Sequence, residues 1–489
     1  MRIRPTGQFD PSRARRRLSA PALLLGVLLA MSSVAHAAAP ASRHDPVEVT
    51  MAPPPVGIPG QYIVRLNPGY SVADVVVPLD VQPKYVYTTV VNGFTAKLTP
   101  AQVVEVRSHP AVHAIEQDAR VRPLDGPGAG DPPGPAADAT PTTAPRPMVR
   151  PTVRPTPTVR PTVRPAPHPT VRPTVRPTPT ALATPTPTPT VRPTVRPAVP
   201  PGPPAAIMPG ALPPVATTSW GLDRIDQRRL PLDGLYSGRH DGTGVTAYII
   251  DSGIDLRNTQ FTGRLVRGYD AVGDGYNTQD CLGHGTMVAG IVGGTTWGVA
   301  RKVKLSPVRV LGCDGSGSFS GIIAGFDWVA RNAVKPAVAN ASLGGPKSAA
   351  ANAAANGLAA AGIFMAVAAG NNSGDACDIS PASAPGPLTL GASGRTDVFA
   401  YFSNYGACVD VIGPGVSITS AKLGGGSTSG SGTSFASPFA AGMGALFKQA
   451  YGDYSSAIVH DWISRAATTG VISGIPGGTR NRMLWLANL

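Results

Sequence analysis

Along its second half the chain alternates short, nearly continuous apolar runs with longer stretches rich in alanine and glycine. The runs at 245–250, 304–310, 338–342 and 363–368 are too short and too apolar for surface helices and predict buried strands. Helices are predicted at 284–293, 320–333, 348–361 and 434–450. Such alternation implies an α/β fold: a mainly parallel central sheet covered by helices on both faces, making three layers. Ligands in such folds bind at the carboxyl ends of the strands.

The first half has a different texture. Residues 60–123 read as a small α+β unit, with β-rich runs at Tyr62-Ile-Val64 and from Tyr85 to Val91. A helix is predicted to open at Thr99-Pro100, with Val103, Val104 and Val106 on its apolar face. A unit this short buries little surface and is marginal alone.

Between 124 and 214, Thr-Val-Arg-Pro recurs at 152–155, 158–161, 162–165, 170–173, 174–177, 190–193 and 194–197. Proline fixes φ and removes a backbone donor, so this tract predicts an extended spacer that builds no core. Its regular arginines also allow an alternative role in binding anionic envelope polymers.

At the N-terminus, Arg13 and Arg15-Arg16-Arg17 precede an apolar run and then Ala35-His36-Ala37. This reads as a secretory signal peptide over 1–37. The apolar run, about 11 residues, is well short of the ~20 needed to cross a bilayer. No other segment is long and apolar enough to span one, so the mature protein is expected outside the cell. The organisation is then 1–37 signal, 60–123 small domain, 124–214 spacer and 215–489 main domain.

The formal charge of +14 changes this picture little. Nine arginines and no acid lie between 141 and 200, whereas 215–489 holds 20 Lys and Arg against 17 Asp and no Glu. The basicity belongs mostly to the spacer, and nothing marks the main domain as a nucleic-acid binder.

Three short motifs fall where a parallel sheet binds ligands. Asp251-Ser252-Gly253 ends the first strong strand, His284-Gly285-Thr286 opens a helix, and Gly432-Thr433-Ser434 opens another. Taken singly, each is as ordinary as a helix cap or a turn. A serine hydroxyl needs a base to become a nucleophile, an imidazole titrates near neutrality, and a carboxylate fixes the imidazole's tautomer. His284 is therefore the candidate base for Ser434, with Asp251 as its orienting acid. The spacings of 33 and 150 residues give the chain order Asp, His, Ser. That order differs from those of chymotrypsin and the α/β-hydrolases, and no Gly-x-Ser-x-Gly elbow surrounds Ser434, which argues against an esterase or lipase.

With Tyr248-Ile-Ile-Asp-Ser-Gly253, Gly283-His-Gly-Thr-Met-Val-Ala-Gly290, Asn340-Ala-Ser-Leu-Gly-Gly345, Val367-Ala-Ala-Gly-Asn-Asn372 and Ser431-Gly-Thr-Ser-Phe-Ala-Ser-Pro438, the chain resembles the subtilase family, in the branch of proteinase K and aqualysin. The resemblance implies a subtilisin-like fold and a secreted, monomeric serine endopeptidase that needs no cofactor for catalysis. It adds Asn371 as an oxyanion donor beside the backbone N–H of Ser434. It makes Gly317-Ser318-Phe319 and Ser342-Leu343-Gly344 the segments that flank a peptide substrate. Ala368-Ala369-Gly370 would form the wall of a roomy pocket, favouring aromatic or aliphatic residues before the cut.

Four cysteines allow three pairings. The resemblance implies Cys281 with Cys313 and Cys377 with Cys408. It also implies a structural calcium ion held by the carbonyls of Pro385 and Pro387 and the carboxylate of Asp410. Gln61-Tyr-Ile-Val64, Asn92-Gly-Phe-Thr-Ala-Lys-Leu98 and Ile115-Glu-Gln-Asp118 resemble the family's inhibitor-like propeptide. That segment would act as an intramolecular partner, with a first cut near 123–127.

Two departures stand out: Met287 replaces the family's second histidine, and the long spacer separates propeptide from enzyme. A catalytically inactive, envelope-binding module of the same fold is the competing reading.

Overall fold

The structure, a computed structural model, describes residues 45–125 and 212–489. The expected signal peptide and nearly all of the proline-rich tract lie outside the described residues. The described residues from Pro46 onward fall in one compact unit.

The small N-terminal part is built from β1 (Gly57–Leu66), β2 (Pro83–Tyr87), β3 (Gly93–Lys97), α1 (Pro100–Arg107) and β4 (Val112–Pro123). Helix α1 starts where its capping box dictates. The Thr99 hydroxyl accepts from Gln102 N, and the Gln102 side chain accepts from Thr99 N. Val106 is buried and Val103 half-buried, whereas Val104 is 60% exposed, so the apolar face is narrower than the valine cluster suggested.

The β-rich run from Tyr85 stops at Tyr87. The N–H groups of Thr88, Thr89 and Val90 leave the sheet and donate to Asp327 instead. Strand β4 escapes a reading by pattern because Glu116, Asp118, Arg120 and Arg122 interrupt its apolar residues. The domain also begins before residue 60, since Val49–Thr50 pairs in parallel with Ile115 and Glu116 of β4.

The main domain follows as β5 (Thr246–Asp251), β6 (Tyr269–Asp270), α2 (His284–Gly293), β7 (Lys304–Arg309), β8 (Gly317–Ser318), α3 (Phe319–Asn332), β9 (Ala337–Ala341), β10 (Leu343–Pro346), α4 (Ala349–Ala360), β11 (Phe364–Ala368), β12 (Leu388–Ser393), β13 (Val411–Pro414) and α5 (Thr433–Tyr451). The central sheet runs β13-β12-β11-β9-β5-β7-β6, parallel throughout, with the short strands Arg482–Met483 and Thr468–Thr469 added beyond β13.

The period of two along a strand assigns side chains to the two faces. From β5, Ala247 and Ile249 pack against α2 and α5, while Tyr248 and Ile250 pack against α3 and α4. Three layers result. Strands β12 and β13 were not predicted, because Gly391, Ser393, Gly413 and Pro414 dilute their short apolar runs.

The two parts share a second sheet. Its order is Ile379–Ser380, β10, β4, β1, β3, β2, with β8 also pairing β4. The end of β4 thus fills the space between two strands of the main domain. Disulfides join Cys281 to Cys313 and Cys377 to Cys408.

Candidate active site

Asp251 closes β5 and is fully buried. Helix α2 places His284 above it because Gly285 lets the helix approach the strand end. A β-carbon at Gly285 would collide with the carbonyl of Gly253. Asp280 fixes the entry to α2, accepting from the N–H groups of Leu282, Gly283 and Thr286 and from the Ser252 hydroxyl. His284 Nδ1 then lies 2.7 Å from Asp251 Oδ1.

Ser434 stands in the first turn of α5 and is fully buried. Pro438, four residues on, has no N–H to give back to the Ser434 carbonyl. The Ser342 hydroxyl donates to that carbonyl at 2.7 Å, which ties the start of α5 to the segment beyond β9. Asn371 follows β11 through Gly370, whose φ of 111° only glycine adopts freely. The Asn371 side chain accepts from Thr433 N at 2.9 Å, which leaves its amide N–H₂ facing the cleft.

The cleft is occupied by the chain's own β4 tail. Val121 and Arg120 pair antiparallel with Gly317 and Ser318 of β8, and Pro123 and Arg122 with Leu343 and Gly344 of β10. Leu124 N donates to Ser342 O at 3.2 Å. The Leu124 carbonyl accepts from Ser434 N at 3.1 Å and from the Asn371 side chain. Its side chain lies over Gly344, where a β-carbon would come within 3.1 Å of Leu124 Cδ1.

The next residue, Asp125, brings Oδ1 to 3.0 Å from His284 Nε2. Meanwhile the Ser434 hydroxyl donates to Ser342 O at 3.0 Å. Burial pushes the His284 imidazole down, yet the carboxylates of Asp251 and Asp125 outweigh it and hold the ring well above its ordinary value. The rest of the cleft is a cavity of about 890 Å³ whose rim carries Arg122, Asp314 and Lys422.

The predicted residues divide by role. Asp251, His284, Ser434 and Asn371 converge on the Leu124 carbonyl and its flanks. Gly317, Ser318, Leu343 and Gly344 supply backbone edges, and Ser342 supplies its carbonyl. Ala368, Ala369 and Gly370 are buried behind them. Phe319 does not pair with the tail; its buried ring packs against Gly345, and the Ser318 hydroxyl caps α3 by accepting from Gly321 N at 3.1 Å. Met287 is 4% exposed and packs in the core with Phe435, as a flexible filler can.

Asp410 is the one side chain of the calcium site that the family resemblance implies. Its carboxylate lies 3.3 Å from Arg480 Nη1 and 3.5 Å from His460 Nε2, and accepts from Thr389 N at 3.1 Å. Pro385 is exposed and Pro387 buried nearby.

The cut expected near 123–127 brackets Leu124 and Asp125, but both were counted in the spacer and neither was given a role in the cleft. Continuing the register of a four-residue strand between 317–318 and 343–344 would have found them.

Comparison with known proteins bears on the same residues. Residues 242–481 match the subtilase family and residues 79–123 match the peptidase inhibitor I9 family. An alkaline serine exoprotease A of Vibrio alginolyticus is 49% identical over 54% of this chain and 50% of its own length. An extracellular serine proteinase of a Thermus species is 49% identical over 55% of this chain and 66% of its own. A subtilisin-like protease of Coccidioides posadasii is 50% identical over 54% of this chain and 67% of its own.

The chain belongs to the subtilase family. Among solved structures, a cold-adapted subtilisin-like serine proteinase superposes with a TM-score of 0.54 at 45% identity, covering 56% of this subtilase and 99% of that chain. The subtilase thus spans half to two thirds of the length of the first relatives it matches. Its β4 tail belongs to the inhibitor match, so the occupant of the cleft is an inhibitor-type domain of the same chain.

Proposed function

We propose that this subtilase is a secreted serine endopeptidase made as a zymogen that processes itself. One observation carries the reading: the Leu124 carbonyl accepts from both Ser434 N and the Asn371 amide, where charge would develop on a carbonyl attacked by Ser434.

In that reaction Ser434 Oγ bonds to a substrate carbonyl carbon and its proton passes to His284 Nε2. Asp251 holds Nδ1–H and stabilises the imidazolium. The tetrahedral oxyanion is met by the Ser434 N–H and the Asn371 amide at the positively polarised start of α5. The C–N bond then breaks as His284 returns the proton to the leaving amine, and water hydrolyses the acyl-enzyme by the reverse relay.

Substrates would bind as the β4 tail does, as an extended strand between β8 and β10. Backbone pairing tolerates many sequences, and the space over Gly344 suits an aliphatic or aromatic side chain before the cut. The propeptide is the intramolecular inhibitor, and the enzyme works as a monomer outside the cell.

The test compares casein hydrolysis by wild type and Ser434→Ala, with and without a serine-directed reagent. Activity in wild type alone, abolished by the reagent, is expected. A wild-type protein that neither processes itself nor cleaves casein would be the inactive, envelope-binding module.

A further inference from the structure

We propose that Asp125, the residue that follows the self-cut bond after Leu124, restrains that cut by pairing with the general base. The inference rests on the endopeptidase reading above.

The position of the bond follows from register. Val121, Arg122 and Pro123 pair in unbroken sequence with β8 and β10, and Leu124 N continues the ladder onto Ser342 O. A slip of one residue would remove the Leu124 carbonyl from Ser434 N and Asn371 and turn every side chain to the opposite face. Cleavage there joins Ser434 Oγ to the Leu124 carbon, breaks the bond to Asp125 N, and leaves residues 125–211 on the N-terminal side of the enzyme. The proline-rich tract becomes the processed enzyme's own N-terminal arm.

The restraint follows from a second contact. His284 must offer a lone pair at Nε2 to accept the Ser434 proton. Here Nε2 lies 3.0 Å from Asp125 Oδ1 as an ion pair without hydrogen-bond alignment, while Nδ1 is hydrogen-bonded to Asp251 Oδ1 at 2.7 Å. A ring flanked by two carboxylates favours the doubly protonated form, which has no lone pair. The Ser434 hydroxyl meanwhile donates to Ser342 O. The other charged groups near the ring lie farther back: Asp280 behind Asp251 through Ser252, and Arg122, Asp314 and Lys422 on the cleft rim. Asp125 is 49% exposed, so changing it leaves the core intact.

The first cut therefore needs His284 to lose a proton that a substrate without an acid at this position would not hold in place. The self-cleavage rate of the full chain should climb with pH over a higher range than peptide hydrolysis by the matured enzyme. Asp125→Asn should move the self-cleavage profile to lower pH, with about a tenfold gain on the rising limb for each unit moved.

The experiment follows full-length wild type, Asp125→Asn, Asp125→Ser and Ser434→Ala during processing from pH 5 to 9, by intact mass and N-terminal sequencing. The expected first product begins at Asp125, Ser434→Ala stays uncut, and both Asp125 variants cut faster at low pH. A first N-terminus elsewhere, such as within 212–219, overturns the assigned bond. Variant profiles that superpose on wild type overturn the restraint. In either case peptide hydrolysis by matured wild type leaves the endopeptidase reading standing, whereas no cutting and no hydrolysis removes that reading as well.

Discussion

Asp327, midway along α3, receives the backbone N–H of Thr89 at 2.7 Å on the same oxygen that receives those of Thr88 and Val90 at 3.1 Å. The turn that ends β2 is thereby fastened to α3 of the main domain. Two more carboxylates act at helix starts: Asp118 Oδ1 accepts from Ser320 N on α3 at 3.1 Å, and Glu116 Oε2 accepts from Ala350 N on α4 at 3.1 Å. Negative charge at those termini is favoured by the helix dipoles. The propeptide grips two adjacent helices as well as the substrate strands.

Asp327→Ala should loosen that grip without touching the reaction. Hydrogen bonds to a charged acceptor contribute about 1.5–3 kcal/mol each, and the freed N–H groups regain water once the propeptide leaves. The enzyme itself loses an i,i+4 pair with Arg331, about 0.3–0.5 kcal/mol. A shorter lag before peptide hydrolysis appears in a processing time course is expected, with unchanged kcat after maturation. An unaltered lag would show that the β2 turn contributes nothing to retention.

Gly357 offers an opposite test on α4. In a helix interior, glycine costs about 0.5–1 kcal/mol against alanine, so Gly357→Ala should stabilise the matured enzyme by that amount. A β-carbon there would collide with the Val90 carbonyl, which belongs to the propeptide. The variant should therefore melt higher after maturation yet release its propeptide sooner and mature in lower yield. A higher melting temperature with normal release would mean that Val90 moves aside easily.

How far the sequence carried depends on whether a residue's role is local. Asp251, His284 and Ser434 were legible because each sits at a strand end or helix start that apolar pattern alone can place, and their order narrows the chemistry. Helix α2 matches its predicted span, 284–293. Asp327 was not legible, being one aspartate on a helix whose partners lie more than 230 residues away. The first cut was placed near Leu124 and Asp125, but their contacts were hidden because composition assigns them to the spacer, while the strands that hold the tail lie about 200 residues further on. Val104 misled because three valines close in sequence point in different directions on a helix.

Asn371→Ala probes the oxyanion donors. Removing the equivalent side-chain donor from a subtilisin lowers kcat by about 10²–10³, a magnitude measured in that enzyme and not deduced from this chain. A loss of that order in kcat is expected, with KM little changed, because ground-state binding rests on the β8 and β10 backbones. The same variant should accumulate uncut full-length chain. A loss carried by KM would instead place Asn371 in substrate binding.

Asp226 gives stability a pH dependence separate from catalysis. Burial raises its carboxyl to about 7, opposed by the bond from Ser237 N and supported by repulsion from Asp233 and Asp223. In the unfolded chain the group titrates near the ordinary value of about 3.9. Between these values the folded protein holds a proton that the unfolded chain has released, so stability is full below about pH 4 and falls as pH rises through about 7. Asp226→Asn keeps an acceptor for Ser237 N–H, 2.7 Å away in wild type, but cannot ionise. In a Ser434→Ala background, which prevents self-digestion, denaturant unfolding from pH 4 to 8 should show a falling slope that Asp226→Asn flattens. Identical slopes would assign the loss of stability on this range to other groups, Asp223 first, since burial raises its carboxyl too.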